Sequence, residues 1–422
     1  MPDDAAPGAV PDDAAPGAVP DDAAPGIVPD DAAPGIVPAG QWPQHEREGS
    51  WLVDERGRRM LAWHVAGGVF NLGFSDQRMA HAVADIVLDH DTGLWSDPSE
   101  RRLAGERAFV ELFPDPLTHA FFTPSASEAF EVACKLAKLA TRRPGLVSVT
   151  GGYYGAVGFA LAMDNPVLQP EVFTPMAGMI PKAAFGSVEA MDALVDGTTA
   201  AVCIETIQVP AGVYEQPDGY LAEVRRMCDE RGAALIVDEV QGGLLRSGDL
   251  WAFERHGIVP DIVVTGKGLS GGYYPLGALA YTGALHDHVD SFPPVHRSSF
   301  SGGEIGARIA GETARRYLDP ALRSHVEVVG ARLGAGLARI SADHPGAITA
   351  IRGRGLVYGV ELATAFAHQM AEACEARGLY LHATLEPRTV QVMPALVTTA
   401  DEIDWGLERF EEALVSLGSN GD

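Results

Sequence analysis

Lysine is scarce in this chain: of 422 residues only Lys135, Lys138, Lys182 and Lys267 are lysines, although 31 side chains are basic. Lys267 lies in "VVTGKGLSGG", between two glycines and just after a β-branched run. Where arginine serves for ordinary positive charge, a lysine marks a need for an amine that can lose its proton and react, which a guanidinium cannot do. Ligand groups in open α/β sheets gather at the carboxyl ends of strands. Two further apolar runs end in carboxylates: "AALIVDEVQGG" at Asp238 and Glu239, and "AAVCIETIQV" at Glu205. Alone, each reads as a cap or turn former. Carboxylates and a rare lysine at neighbouring strand ends read as an active site.

Two other stretches say what that site would hold. In "FFTPSASEAFEVACKLAKLA" an apolar run meets a helix, with Ser125 and Glu128 at capping-box spacing. Ser127 follows in the first turn beside the small Ala126, and a helix start with free N–H groups, a hydroxyl and little bulk suits a phosphate. In "TGGYYGAVG" a strand runs into glycines around Tyr153 and Tyr154, placing an aromatic face against a flat ligand. A planar ring, a phosphate, a basic ring nitrogen for Asp238 and an aldehyde for Lys267 together specify pyridoxal 5'-phosphate.

The elements that position these residues follow from hydrophobic patterning. Between about 77 and 320, helical patterns alternate with the short runs "GLVSVT", "AAVCIETIQV", "AALIVDEV", "DIVVTG" and "LGALAYTG". These runs lack polar alternation, as expected of strands covered on both faces, so an α/β fold with a mainly parallel sheet and crossover helices is expected. Residues 321–422 form a second block, with strands in "AITAIRGRGLVYGVEL", a helix around 363–377, a strand near "TVQVMPAL" and a final amphipathic helix. Residues 45–76 read as the N-terminal part of the same smaller α+β domain, "WLVDERGRRMLAW" being two short strands around a turn. Residues 1–44 are set apart: "PDDAAPGAV" and "PDDAAPGIV" each occur twice. That composition cannot bury enough apolar surface to offset its ordering entropy, so a disordered acidic tail is expected.

A formal net charge of -26 repels phosphates and anionic lipid, which argues against nucleic acid as a partner. No run approaches the length of a membrane span and no signal peptide is apparent, which places the protein in the cytoplasm. Cys134, Cys203, Cys228 and Cys374 lack metal or redox spacing and read as buried thiols, with no metal site expected. Gly266, Gly268 and Gly271 satisfy the dinucleotide fingerprint of a nicotinamide dehydrogenase, but Asp290, the acidic residue to be weighed at a second strand end, sits in "HVDSFPP", and a lysine inside the pyrophosphate turn is unusual. A nucleotide P-loop fails, because Asp261 and Gly268 occupy its first glycine and its Ser/Thr positions.

The segment "GYLAEVRRMCDERGAALIVDEVQGGLLRSGDLWAFERHGIVPDIVVTGKGLSGGYYPLGAL", with 29 positions from Asp238 to Lys267, resembles the signature of the class III (omega-type) aminotransferases. These are fold-type I pyridoxal-phosphate enzymes, and the similarity runs from about 45 to 415. The resemblance implies a large domain with a seven-stranded-type sheet and a small domain from both chain ends. It makes Lys267 the Schiff-base lysine and proton shuttle, and Asp238 the partner that keeps the pyridine nitrogen protonated. Val240 and Tyr153 would flank the ring, Gln241 would approach its phenolic oxygen, and Ala126 and Ser127 would hold the phosphate, with Glu205 counted among the cofactor residues. Ser299, in "HRSSFSGG", stands where the family usually has a threonine reaching the neighbouring subunit's phosphate, which implies a homodimer with shared sites.

The departures bear on substrate. Pro124, Ala126 and Tyr154 replace a usual asparagine, glycine and histidine. Gln391 stands where many members carry the arginine that grips an α-carboxylate, and Pro210 where some carry the glutamate that parks that arginine. Arg58, Arg354 and Arg388 are the candidates for a substitute anchor. The expected substrate is an amine or amino-sugar-like specialised metabolite reacting at a carbon without an α-carboxylate, with Tyr154 and Gln391 as candidate substrate residues. Isomerisation, epimerisation or elimination on the same fold is the alternative to transamination.

Overall fold

The computed structural model describes residues 44–54, 57–89, 98–163, 179–287, 296–364 and 366–418. The repeat-bearing segment 1–43 lies outside them. The N-terminal strands β1 (Gln44–Glu48), β2 (Trp51–Asp54) and β3 (Arg59–Ala62) form an antiparallel meander, β2 and β3 being the two strands read from "WLVDERGRRMLAW".

The large sheet holds seven strands: β4 (Leu117–Thr123), β5 (Gly145–Val149), β6 (Lys182–Ala183), β7 (Thr199–Glu205), β10 (Ala234–Asp238), β11 (Ile262–Thr265) and β12 (Gly277–Thr282). The short hairpin β8 (Ile207–Gln208) and β9 (Tyr214–Glu215) stands apart from it. Strand order is β4-β12-β11-β10-β7-β5-β6. All residues of β7, β10, β11 and β12 are buried, which is why their sequences run apolar without alternation. The pairs β5–β6, β5–β7, β7–β10 and β10–β11 are parallel, whereas β12 runs antiparallel to both β11 and β4. Only residues 266–276 join β11 to β12, too few for the helical crossover a parallel neighbour requires.

The C-terminal block adds β13 (Ile348–Arg354), β14 (Val357–Leu362), β15 (Leu379–Tyr380), β16 (His382–Ala383) and β17 (Thr389–Val392). Strands β13, β14, β17 and β16 make an antiparallel sheet, while β15 pairs in parallel with β3 and joins the C-terminal part to the N-terminal meander. The final helix, Ala400–Gly418, buries Ile403, Leu407, Phe410 and Leu414, the stripe its amphipathic sequence dictates. All four cysteines are buried and free. No helix among the described residues is long and apolar enough to cross a membrane.

Candidate active site

Parallel register builds the site. Asp238, the last residue of β10, is the Cα partner of Glu205, the last residue of β7, and on the other side of Val264 in β11. Two residues beyond the end of β11, Lys267 opens a short 3-10 turn, Lys267–Ser270. Three neighbouring strand ends thus deliver two carboxyls and an amine to one wall of a cavity of about 510 Å³.

A helix start also lines the cavity, close beside the lysine turn: a Cβ on Gly266 would lie 2.7 Å from Ala126 Cβ. Ser125 caps the helix Ala126–Thr141 by accepting from the Glu128 N–H at 3.2 Å. The Glu128 carboxylate, which a full capping box would turn back onto Ser125, goes instead to Ser301 Oγ at 2.5 Å and His296 Nε2 at 3.0 Å. Glycines let the surrounding backbone close on this helix start. A Cβ on Gly277 would lie 2.3 Å from the Ser125 carbonyl carbon, and one on Gly155, at φ 117°, would lie 2.2 Å from Ser127 Oγ. Ser125, Ala126 and Ser127 consequently line the cavity with the amide donors that the first helical turn leaves unpaired.

Tyr153, Tyr154, Glu205, Asp238, Val240, Gln241 and Lys267 also line the cavity. The Tyr153 N–H donates to Glu205 Oε2 at 2.7 Å, so the strand-end carboxyl fixes the tyrosine loop. Tyr154 turns toward the core: its hydroxyl donates to the Cys203 carbonyl at 3.0 Å and its ring stacks on Phe130 at 4.8 Å. The Val240 N–H donates to Asp238 Oδ1 at 2.9 Å, and Gln241 Nε2 to the Gly67 carbonyl at 3.2 Å. Gly67, at φ 62°, packs beside both side chains: a Cβ there would stand 3.0 Å from Gln241 Nε2 and 3.7 Å from Lys267 Cε.

The remaining candidates lie elsewhere. Gln391 is buried in β17 and donates to Met393 Sδ at 2.7 Å, away from the cavity wall. Ser299 is exposed, on the loop that Glu128 pins through His296 and Ser301. Val69 and the Tyr273–Leu276 segment, which no sequence motif marks, also line the cavity. The available signal was a tyrosine pair between glycines and a proline directly before an apolar run.

Burial dominates the electrostatics. It pushes the Lys267 amine down to about 8 despite the opposing pull of Asp238 and Glu205. It pushes the Asp238 carboxyl up to about 7, against the stabilising Val240 N–H and Lys267. Glu205 is raised well above the usual carboxylate range, first by burial and then by the neighbouring Asp238. A helix start suited to a phosphate, flanking side chains, a buried carboxyl and a reactive amine fit pyridoxal 5'-phosphate from end to end.

Comparison with known proteins agrees. Residues 38–414 match the family model for class-III aminotransferases. An uncharacterized aminotransferase of Archaeoglobus fulgidus is 33% identical over 364 residues, covering 86% of this chain and 85% of that protein. The acetylornithine aminotransferase of Mycobacterium leprae is 34% identical over 335 residues, covering 79% and 81%. The ornithine aminotransferase of Toxoplasma gondii shares the fold, with a TM-score of 0.83 at 24% identity over 91% of this chain and 92% of that one. The chain belongs to the class III aminotransferases, fold-type I enzymes that transfer amino groups with pyridoxal 5'-phosphate.

Proposed function

We propose that this aminotransferase acts on an amine or amino-sugar-like substrate whose reacting carbon bears no α-carboxylate. The observation that carries this reading is the cavity lining: among the described residues it contains no arginine, and Lys267 is its one cationic side chain. The arginines that could substitute are engaged elsewhere. Arg354 binds Glu215 at 3.0 Å and also Asp249, Arg388 donates to the Ala363 carbonyl at 3.0 Å, and Arg58 binds Asp54 at 2.6 Å. A carboxylate entering this cavity meets buried carboxyls instead of a bidentate partner.

Within the proposal each side chain has a task. The cofactor, when bound, supplies an aldehyde that takes up amines and a pyridine ring that accepts an electron pair. Ala126 and Ser127 hold its phosphate at the helix start. Asp238 supplies the negative partner for the ring nitrogen, and Glu205 holds the Tyr153 backbone so that this ring and Val240 confine the cofactor. Gln241, tied to Gly67, would approach the phenolic oxygen. Lys267, with its amine brought near neutrality, carries the cofactor in the resting enzyme and then takes and returns the proton at the reacting carbon. The proposal includes a homodimer with shared sites, working in the cytoplasm. In its support, Ser299 is exposed and its neighbour Phe300 is 72% exposed, an apolar side chain suited to a second copy.

The test is to mix the visible-absorbing enzyme with L-glutamate, L-alanine and a panel of amines and to follow loss of the visible band. Conversion by amines alone supports the reading. Rapid, saturable conversion by glutamate at low concentration refutes it, and product formed without loss of the band points to isomerase or lyase chemistry.

A further inference from the structure

Lys267 occupies unusual backbone. Its φ is 47°, in the left-handed region that costs a non-glycine residue roughly 1–3 kcal/mol and persists only where the surroundings enforce it. The enforcing groups lie beneath the turn. The Tyr317 hydroxyl donates to the Gly268 carbonyl at 2.8 Å, and Thr313 Oγ1 donates to the Leu269 carbonyl. Tyr317 is fully buried and takes a hydrogen bond from Asn71. Only glycine admits this approach, because a Cβ at 268 would lie 2.7 Å from Asn71 Nδ2 and 2.9 Å from Tyr317 Oη.

The network continues away from the cavity. Asn71 Oδ1 accepts from Arg246, whose side chain is completely buried. Arg246 has no carboxylate among its described partners; it donates to the carbonyls of Leu356, at 3.1 Å, and Pro394. Both carbonyls belong to the C-terminal block, and Asn71 also accepts at its own carbonyl from the Leu396 N–H at 2.8 Å. The hydrogen bonds all point one way, from the buried guanidinium through the amide and the phenol to the residue after Lys267. Each therefore polarises the next.

We infer that Asn71 and Tyr317 are positioning residues for Lys267, and that Arg246 ties the lysine's placement to the docking of the C-terminal block. None of the three lines the cavity, so they act through the turn and not on substrate. The turn holds the amine aimed into the cavity, ready for the covalent step in which its nitrogen joins the cofactor's aldehyde carbon and the carbonyl oxygen leaves as water.

The test isolates that step from any substrate. The enzyme is stripped of cofactor, pyridoxal 5'-phosphate is added back at saturation, and the first-order appearance of the visible band is followed by stopped flow. Tyr317→Phe keeps the ring and removes the hydroxyl; the rate constant is expected to fall about tenfold. Tyr220→Phe is the control, since Tyr220 is also buried but its hydroxyl has no partner among the described residues; its rate constant is expected to match wild type. A Tyr317→Phe rate within twofold of wild type overturns the inference, as does an equal loss in both variants. Should Tyr317→Phe not fold, Asn71→Ser carries the same expectation, and failure of both to fold assigns the network to stability alone. Because no substrate enters, this result stands or falls separately from the amine-substrate proposal.

Discussion

Asp238 and Glu205 stand opposite one another as register partners in β10 and β7, so two buried carboxyls share one end of the sheet with a single amine. They cannot both ionise cheaply there. Burial raises both, while an N–H from Tyr153 on Glu205 and one from Val240 on Asp238 each favour the ionised form, so a cationic ring nitrogen bound here would meet a carboxyl already held by a backbone donor.

Asp238→Asn is therefore expected to retain cofactor and to slow amino transfer by roughly 10²-fold or more, because a neutral amide no longer holds the ring nitrogen protonated. Cofactor content by absorbance together with single-turnover rates checks this. An unchanged rate removes the role.

The same burial sets a pH dependence for the cofactor-free protein. Asp238 and Glu239, both raised to about 7, bind protons more tightly folded than unfolded. Their contribution to stability is complete below the unfolded carboxylate range and is lost as pH rises toward 7. The lowered carboxyls Glu215, Glu361 and Glu411 act in the opposite sense but have finished titrating by about pH 5. Between pH 5.5 and 7, stripped wild type is expected to lose up to about 1 kcal/mol per pH unit more stability than stripped Asp238→Asn. Denaturant titrations of both proteins across that window measure the difference, and parallel curves contradict it.

Gly155→Ala places a methyl 2.2 Å from Ser127 Oγ at a backbone conformation alanine resists. Strain of about 2 kcal/mol at the phosphate end is expected to weaken cofactor retention by roughly thirtyfold while the fold survives. Equilibrium dialysis reads this directly, and unaltered retention removes the phosphate assignment from this helix start.

Deletion of residues 2–37 is expected to leave the melting temperature and turnover unchanged, because four Asp-Asp repeats offer nothing to a packed core. Loss of activity or assembly on truncation contradicts that reading of the segment.

The strands that carry the chemistry were legible because complete burial erases polar alternation, and a carboxylate or lysine ending an apolar run then stands out. The antiparallel direction of β12 was hidden, since "LGALAYTG" is as apolar as its parallel neighbours and only the short connection after Lys267 decides it. Tyr154 and Tyr153 are adjacent and alike in sequence; which one turns inward depends on Phe130 and the Cys203 carbonyl, contacts made across the fold. The Arg246–Asn71–Tyr317 network was invisible for the same reason, its members being separated by 175 and 246 positions in the chain.

The assignment of Lys267 as the residue that carries the cofactor is directly measurable because the chain has only four lysines. Lys267→Ala should lose the visible band and lower turnover by at least on the order of 10³-fold, but locating the bond itself is more decisive. The holoenzyme is reduced with borohydride, digested, and searched by mass spectrometry for the peptide bearing the pyridoxyl group. The pyridoxyl group is expected on Lys267; its stoichiometric recovery on Lys135, Lys138 or Lys182 would contradict that assignment.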